Sequence, residues 1–258
     1  MKQLVALTTA FLTTSWAYAQ GPADFRLGIK AGSTYSSISG KGITQLAGPA
    51  NTARRGDYQT GYHAGLTLSI PLSSNGVISL NPELLYNRRG YGLNFETERT
   101  GYITLNGTTF EVKNHMRHEQ QRRLHYLDLP VLARINAGKL FFEAGPQMSY
   151  LLASRLHQSS TSTTVDSREV PPGTPTGGGS GPAQVADQGE RFRGDLSRVE
   201  VGVVAGVGYQ TAGGLSVGLR YQHGLSSIRR RNASTDQQPV YTQAATLQVG
   251  YVLPLGNK

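Results

Sequence analysis

The chain has 258 residues, with 25 Lys and Arg against 16 Asp and Glu, a formal net charge of +9, and no cysteine. The missing thiols exclude a disulfide framework, a thiolate zinc site, a cysteine nucleophile and a lipid-modified cysteine anchor. Charged residues make up only 16% of the chain while glycine fills 32 positions, a balance that favours closely packed β-structure over an ordinary charged soluble surface.

In chain order, residues 1–19 have the pattern of a cleaved signal peptide: the cation Lys2, an apolar run over 4–12, and Ala17-Tyr18-Ala19 before Gln20. Residues 20–258 are expected to form one domain, because no composition break divides them. No later segment approaches the ~18–20 consecutive apolar residues of a membrane-spanning helix. The apolar pattern instead has period two, the strand signature, over eight segments: 25–35, 59–70, 77–89, 122–136, 139–154, 195–211, 215–225 and 240–253. Their connections alternate in length. Residues 71–76, 137–138 and 212–214 read as tight turns, whereas 36–58, 90–121, 155–194 and 226–239 read as long polar loops. Within them, 101–105 and 108–112 are expected to extend a hairpin, and the Pro- and Gly-rich 155–194 loop to be largely mobile. An even strand number with short turns at one end and long loops at the other predicts an all-β fold, an eight-stranded antiparallel up-and-down transmembrane β-barrel.

Alternation alone leaves two readings open, since a soluble barrel has the same period with its apolar face inward. Aromatic placement favours the membrane. Tyr35, Tyr62, Tyr86, Tyr150, Tyr221 and Tyr241 sit on the apolar parity toward the long-loop end, and Phe25, Phe142, Tyr209 and Tyr251 toward the short-turn end. Two such girdles bracket a lipid-facing band.

The polar parity carries Arg26, Lys30, Arg134 and Arg220 against Glu83, Asp128, Glu143 and Glu200, with Arg89, Arg122 and Arg198 nearer the long-loop ends. In a narrow lumen an unpaired charge costs several kcal/mol, so these eight are expected to pair and close the interior. Gly202, Gly206 and Gly208 share that parity and leave room for bulky side chains across the lumen.

Several short motifs recur in order: Gly28-Ile29-Lys30-Ala31-Gly32, Leu80-Asn81-Pro82-Glu83-Leu84-Leu85-Tyr86 with Arg89-Gly90, and Tyr126-Leu127-Asp128-Leu129-Pro130-Val131-Leu132. Glu143-Ala144-Gly145-Pro146, Asp195-Leu196, the glycines of 202–206, Leu219-Arg220-Tyr221 with Gly224-Leu225, and Gly250-Tyr251-Val252 complete the series. In these residues the chain resembles the PorT-like outer-membrane β-barrel family of Bacteroidota, within the porin-family barrels. The resemblance implies residence in the outer membrane. Its namesake is associated with export through the type IX secretion system, while most relatives have no assigned activity. The two longest loops and the tail Leu253-Pro254-Leu255-Gly256-Asn257-Lys258, which has no terminal aromatic, depart from the pattern.

Chemistry in the loops is the sharpest alternative. His63, His115, His118, His125, His157 or His223 with Asp57, Glu96, Glu98 or Glu119 are the candidates for an outer-membrane enzyme, and His115, His118 and His125 for a metal. The plainer reading of these histidines is solvated loop residues, so no catalytic group, metal or cofactor is expected. The basic loop ends are more informative. Arg54, Arg55, Arg88, Arg89, Arg122, Arg123, Arg229, Arg230 and Arg231 form a collar suited to glycolipid phosphate, with Arg117, Arg191 and Arg193 at the same end. Nucleic-acid binding is not expected, because the cations are dispersed and no recognition element accompanies them. The triplets beginning at Asn106 and Asn232 match the glycosylation pattern and carry little weight in a bacterial envelope. The expected protein is a monomeric barrel in contact with outer-membrane lipid and glycolipid. Its expected role is that of a structural or interaction component of the cell envelope, such as a secretion accessory; a loop-based binder of an extracellular ligand or glycolipid is the alternative.

Overall fold

The structure, a computed structural model, describes residues 25–43, 56–105, 108–165, 184–188, 196–230 and 238–253. The expected signal peptide, Arg54, Arg55, Arg191, Arg193, Arg231, both glycosylation triplets' asparagines, residues 254–258 of the tail and most of the segment 166–194 lie outside them.

Nine strands are described: β1 Arg26–Ser39, β2 Asp57–Pro71, β3 Ile78–Leu105, β4 Thr108–Ala137, β5 Leu140–Val165, β6 Gln184–Gln188, β7 Val199–Gln210, β8 Leu215–Gly224 and β9 Tyr241–Val252. Eight of them close a ring in the order β4-β3-β2-β1-β9-β8-β7-β5, with β4 pairing β5, and β6 adds to β5 outside the ring. Every pairing is antiparallel. The fold is therefore the eight-stranded up-and-down barrel that the alternation predicts.

The registers fix the barrel's shape. From Pro71, the cross-strand partners Ser79, Arg134, Glu143, Gly206, Arg220, Thr246 and Thr34 lead back to β2 at Gly61, a displacement of 71 − 61 = 10 residues. With ~3.3 Å per residue along a strand and ~4.8 Å between strands, that stagger tilts the strands by roughly 40°. A row of cross-strand neighbours consequently climbs toward the long-loop end by about 3 Å per strand.

The short connections are made as tight turns. Gly138-Lys139 is a two-residue loop between Ala137 and Leu140, and Gly138 has φ 65°, a conformation glycine adopts without a Cβ penalty. At the other end, β3 and β4 run on to Leu105 and Thr108, so the segment read as a loop over 90–121 is mostly a hairpin. Its sequence is polar but keeps β-formers such as Tyr102, Ile103, Phe110 and Val112. β2 leaves β3 after the Asp57↔Gly92 pair. Beyond that point β3, β4, β5 and the added β6 stand above the ring as a sheet, and the thirteen further residues of β3 reach roughly 40 Å. Bulges at Tyr58/Tyr62 and His125/Tyr126 mark the rim where the ring gives way to it.

The question of faces is settled by exposure. Leu27, Ile29, Leu66, Leu84, Val131, Phe142, Val201, Leu219 and Leu247 all point outward, while alternate positions such as Lys30, Thr67, Glu83, Glu143, Glu200, Arg220 and Gln248 are buried. An exposed apolar belt encircling the whole ring has no counterpart on a soluble monomer. Along β8 and the residue that follows it, the belt runs from Leu215 to Leu225, ten residue steps, which at this tilt is about 25 Å along the barrel axis, the height of an outer-membrane apolar band. Tyr35, Tyr62, Tyr86, Tyr150 and Tyr221 lie toward its upper part, and Phe25, Phe142, Tyr209 and Tyr251 toward its lower edge.

Because Leu219 lies near the middle of this belt, Leu219→Arg should cost about 2–4 kcal/mol of barrel stability, and Leu225→Arg at the upper edge no more than about 1. Reversible denaturant unfolding in lipid vesicles measures both. Equal costs at the two positions would contradict the placement of the band.

Candidate functional site

The lumen is filled in layers, each set by strand register. At the turn end Arg134 on β4 stacks over the inward Phe141 ring at 3.5 Å and donates to Gln210 Oε1 at 3.1 Å. Next comes a cluster about mid-way through the belt. Arg220 on β8 donates through both terminal nitrogens to Glu83 on β3, at 2.7 and 2.8 Å, and through Nε to Glu143 on β5 at 2.5 Å. Lys30 on β1 pairs with Glu83 at 2.5 Å, and Arg134 approaches Glu143 Oε2 at 3.5 Å. Forked Arg-carboxylate geometry of this kind is strong and directional.

A missing side chain makes that reach possible. Gly206 lies between Glu143 and Arg220 in the same cross-strand row, and a Cβ there would sit 2.8 Å from Arg220 Cγ and 3.4 Å from Glu143 Oε1. Gly208 does the same for Phe141, whose Cζ would be 2.2 Å from a Cβ at that position.

Above this cluster lies a neutral polar layer. Thr34 contacts His63 Nδ1 at 3.2 Å and donates to Asn87 at 3.3 Å, and Gln222 donates to Gln147 at 2.9 Å. Then comes a second charged cluster. Arg89 pairs with Asp128 at 3.1 Å and Glu200 at 4.0 Å, and stacks over Tyr126 at 4.2 Å. Asn87 donates to the other Asp128 oxygen at 2.8 Å, and the Thr242 hydroxyl donates to Glu200.

The outer mouth is closed by an apolar cap of Ile38, Ile43, Tyr91, Leu93, Leu124, Tyr126, Leu151, Leu196, Ile228 and Val240. Four of these come from connections, which turn inward and bond to one another: Ser197 N–H to Ile228 O at 2.8 Å, Ile228 N–H to Val240 O at 2.9 Å, and Gly42 N–H to Pro239 O at 3.3 Å. Sequence reasoning missed this cap. Its signal is the inward parity turning apolar near the loop end, where Leu124 and Tyr126 stand between Arg122 and Asp128, together with isolated apolar residues in the connections.

Seven of the eight expected lumen charges are buried within these two clusters; Arg26 is not. It begins β1 at the turn-end rim, is exposed to solvent, and lines a small cavity of about 120 Å³ beside Arg134 and Gln210. The collar also needs correction. Arg89 and Arg122 are 4% and 5% exposed and point into the barrel, where Arg122 donates to Ser154 and Tyr91, so neither can meet glycolipid. Arg88 and Arg123, their immediate neighbours, point outward, because consecutive strand residues face opposite sides. Arg230 is exposed and Arg229 half-buried, held by a bridge to Leu196.

The histidines do not form one site. His63 is in the lumen, His125 is outside and bonded to Tyr86 Oη at 2.5 Å, and His223 stacks on Tyr241. His157 is exposed on β5. His118 and His125 are seven residues apart along β4, roughly 23 Å, so they cannot share an ion with His115 farther up the same strand. Among the described residues no group of three or more candidate ligands comes together.

A closed ring, a lipid-facing belt with aromatic edges and a filled polar interior define an outer-membrane β-barrel protein. Residues 18–230 match the family of the outer membrane protein beta-barrel domain, and the chain belongs to that family. Among solved structures it is similar to Neisserial surface protein A, at 10% identity and TM-score 0.41 over 87% of this chain and 96% of the other. It is also similar to Ail, the attachment invasion locus protein of Yersinia pestis, at 8% identity and TM-score 0.37 over 88% and 98%. A third similarity is to the outer membrane protease OmpT from Escherichia coli, at 8% identity and TM-score 0.24 over 89% and 95%. No curated protein matches.

Strand alternation separates adjacent arginines into different roles, and this can be measured. Arg89→Leu strands Asp128 and Glu200 without their cation and should cost about 3–5 kcal/mol of unfolding free energy. Arg88→Leu on the outer face should cost no more than about 1. Similar costs for the two would contradict the layered interior.

Proposed function

We propose that this protein is a non-conducting outer-membrane barrel that anchors an extracellular interaction platform, a structural or interaction component of the envelope in the manner of a secretion accessory. The observation that carries this reading is the contrast between the two sides of the rim. Below it the lumen is occupied by paired charges and sealed by the apolar cap; above it β3, β4, β5 and β6 continue as a raised sheet. An eight-stranded ring is only wide enough for side chains to fill it, so solute passage is not its work. A raised strand platform offers backbone edges and exposed side chains such as Tyr102, which is 71% exposed, to a protein partner. The resemblance to PorT-like barrels supports the secretion-accessory version of the reading.

Two measurements test it. Reconstituted in planar bilayers, the protein should give no steady channel currents. A photo-crosslinking residue replacing Tyr102, activated on intact cells, should capture one specific envelope protein, and the same residue replacing the lipid-facing Val217 should not. Steady channels, or identical capture patterns from the two positions, would refute the proposal.

A further inference from the structure

Two cavities of opposite character meet on the outside of the barrel. The first is a slot of about 730 Å³ on the lipid-facing surface. It follows one cross-strand row in which large and small side chains alternate: Thr60, Tyr35, Ala245, Tyr221, Ala205. Tyr35 and Tyr221 form its walls and Ala245 and Ala205 its floor, with Leu219 and Leu247 below. Such rows descend by about 3 Å per strand from β2 to β7, so the slot drops roughly 12 Å, half the height of the apolar band and hence the depth of one leaflet.

The second cavity, about 290 Å³, lies just above the upper girdle on β2, β3 and β4. It is polar and carries balanced charge, with Arg88 and Arg123 facing the same space as Asp57 and Glu119. Its side chains are held in place: Asn94 donates to Asp57 at 2.6 Å, Gln121 donates to Glu119 at 3.0 Å, and Arg88 rests over the Tyr62 ring at 5.6 Å. Thr60 lines both cavities. The partition beside it is the Tyr35–Tyr58 stack at 4.6 Å, fixed by a hydrogen bond that the Gln243 side-chain amide donates to Tyr58 Oη at 3.1 Å.

The geometry points to a binding site for a single outer-leaflet lipid, with an acyl chain in the slot between Tyr35 and Tyr221 and a head group carrying both phosphate and amine in the polar cavity. Depth orders the parts correctly, since the apolar slot lies within the band and the charged cavity outside it. Charge selects the head group. Two arginines provide forked donors for phosphate, while two carboxylates in the same cavity cancel their attraction for a simple anion and provide acceptors for an ammonium. The inference rests on the membrane placement of the barrel and is independent of the partner proposed above.

The test uses the full-length protein, extracted in mild detergent, delipidated, and titrated with phosphatidylethanolamine, phosphatidylglycerol or diacylglycerol while thermal unfolding is followed. Phosphatidylethanolamine should raise the unfolding temperature saturably, at concentrations at least tenfold lower than phosphatidylglycerol, and diacylglycerol should have little effect. Ala245→Phe, which fills the slot, and the pair Arg88→Ala with Arg123→Ala should each weaken that response tenfold or more. Asp57→Asn with Glu119→Gln should remove the preference for the amine. Heat-dependent electrophoretic mobility confirms that each variant forms the barrel, and Leu66→Ala, outside both cavities, is the control for altered belts. Mass analysis of lipid retained by the untreated protein separates sources: one equivalent of either a phospholipid or a glycolipid bearing phosphate and amine supports the site. Equal responses to all three lipids, or folded variants that respond like the parent, would overturn it.

Discussion

Lipid offers no hydrogen-bond partners to a backbone, and that single constraint organises the whole molecule. Each strand must be paired on both sides within the band, which the contact between β4 and β5 achieves by closing the ring. Closure with eight strands and a ten-residue stagger then sets the lumen's width. A lumen so narrow has to be filled by its own inward side chains, and they have to satisfy one another. The position of Gly206 illustrates how tightly this binds the sequence: only an absent side chain between Glu143 and Arg220 allows Arg220 to hold Glu143 and Glu83 together.

The buried charges also determine register. Sliding one strand by a residue would reverse its faces, sending Arg220 or Glu83 into hydrocarbon and bringing Leu219 or Leu84 inside. A charged side chain at the centre of the band costs several kcal/mol, more for an arginine at mid-depth than near the edges. The mid-band cluster joins β1, β3, β4, β5 and β8 through Lys30, Glu83, Arg134, Glu143 and Arg220. A slip in any of these strands therefore breaks contacts in others, so the polar core specifies alignment around the ring as the apolar core of a soluble protein does across its layers.

The alternation of the sequence made the fold legible, because each outward apolar run is an independent measurement of the same period. Loop ends were less legible for a physical reason. Arg88-Arg89 and Arg122-Arg123 look like two basic pairs at a rim, yet the strands continue through them, so one arginine of each pair enters the lumen and the other stays outside. Arg26 failed in the opposite way: its parity is inward, but it lies at the rim where water competes with any partner. The cap was hidden because Ile43, Leu196, Ile228 and Val240 lie in separate connections, and no period links residues whose association depends on how those connections fold back. The two external cavities were hidden too. Tyr35, Ala245, Tyr221 and Ala205 become neighbours only through three registers, which the pattern of a single strand does not contain.

The two ends of the barrel thus obey different rules. At the turn end the chain reverses in a few residues, as at Gly138-Lys139, leaving little surface with which to do anything but close. At the other end the strands outrun the membrane by unequal amounts: β2 leaves its partner at Asp57 while β3 continues to Leu105. That inequality breaks the symmetry of the ring and gives the rim a high side, on β3, β4 and β5, and a low side, on β1, β8 and β9. The polar cavity lies at the foot of the high side and the apolar slot runs down under the low one, so the same difference in strand length that raises the sheet also places charged side chains at the upper end of a lipid-facing groove. On the outer surface, as in the lumen, strand length and register therefore decide which groups meet.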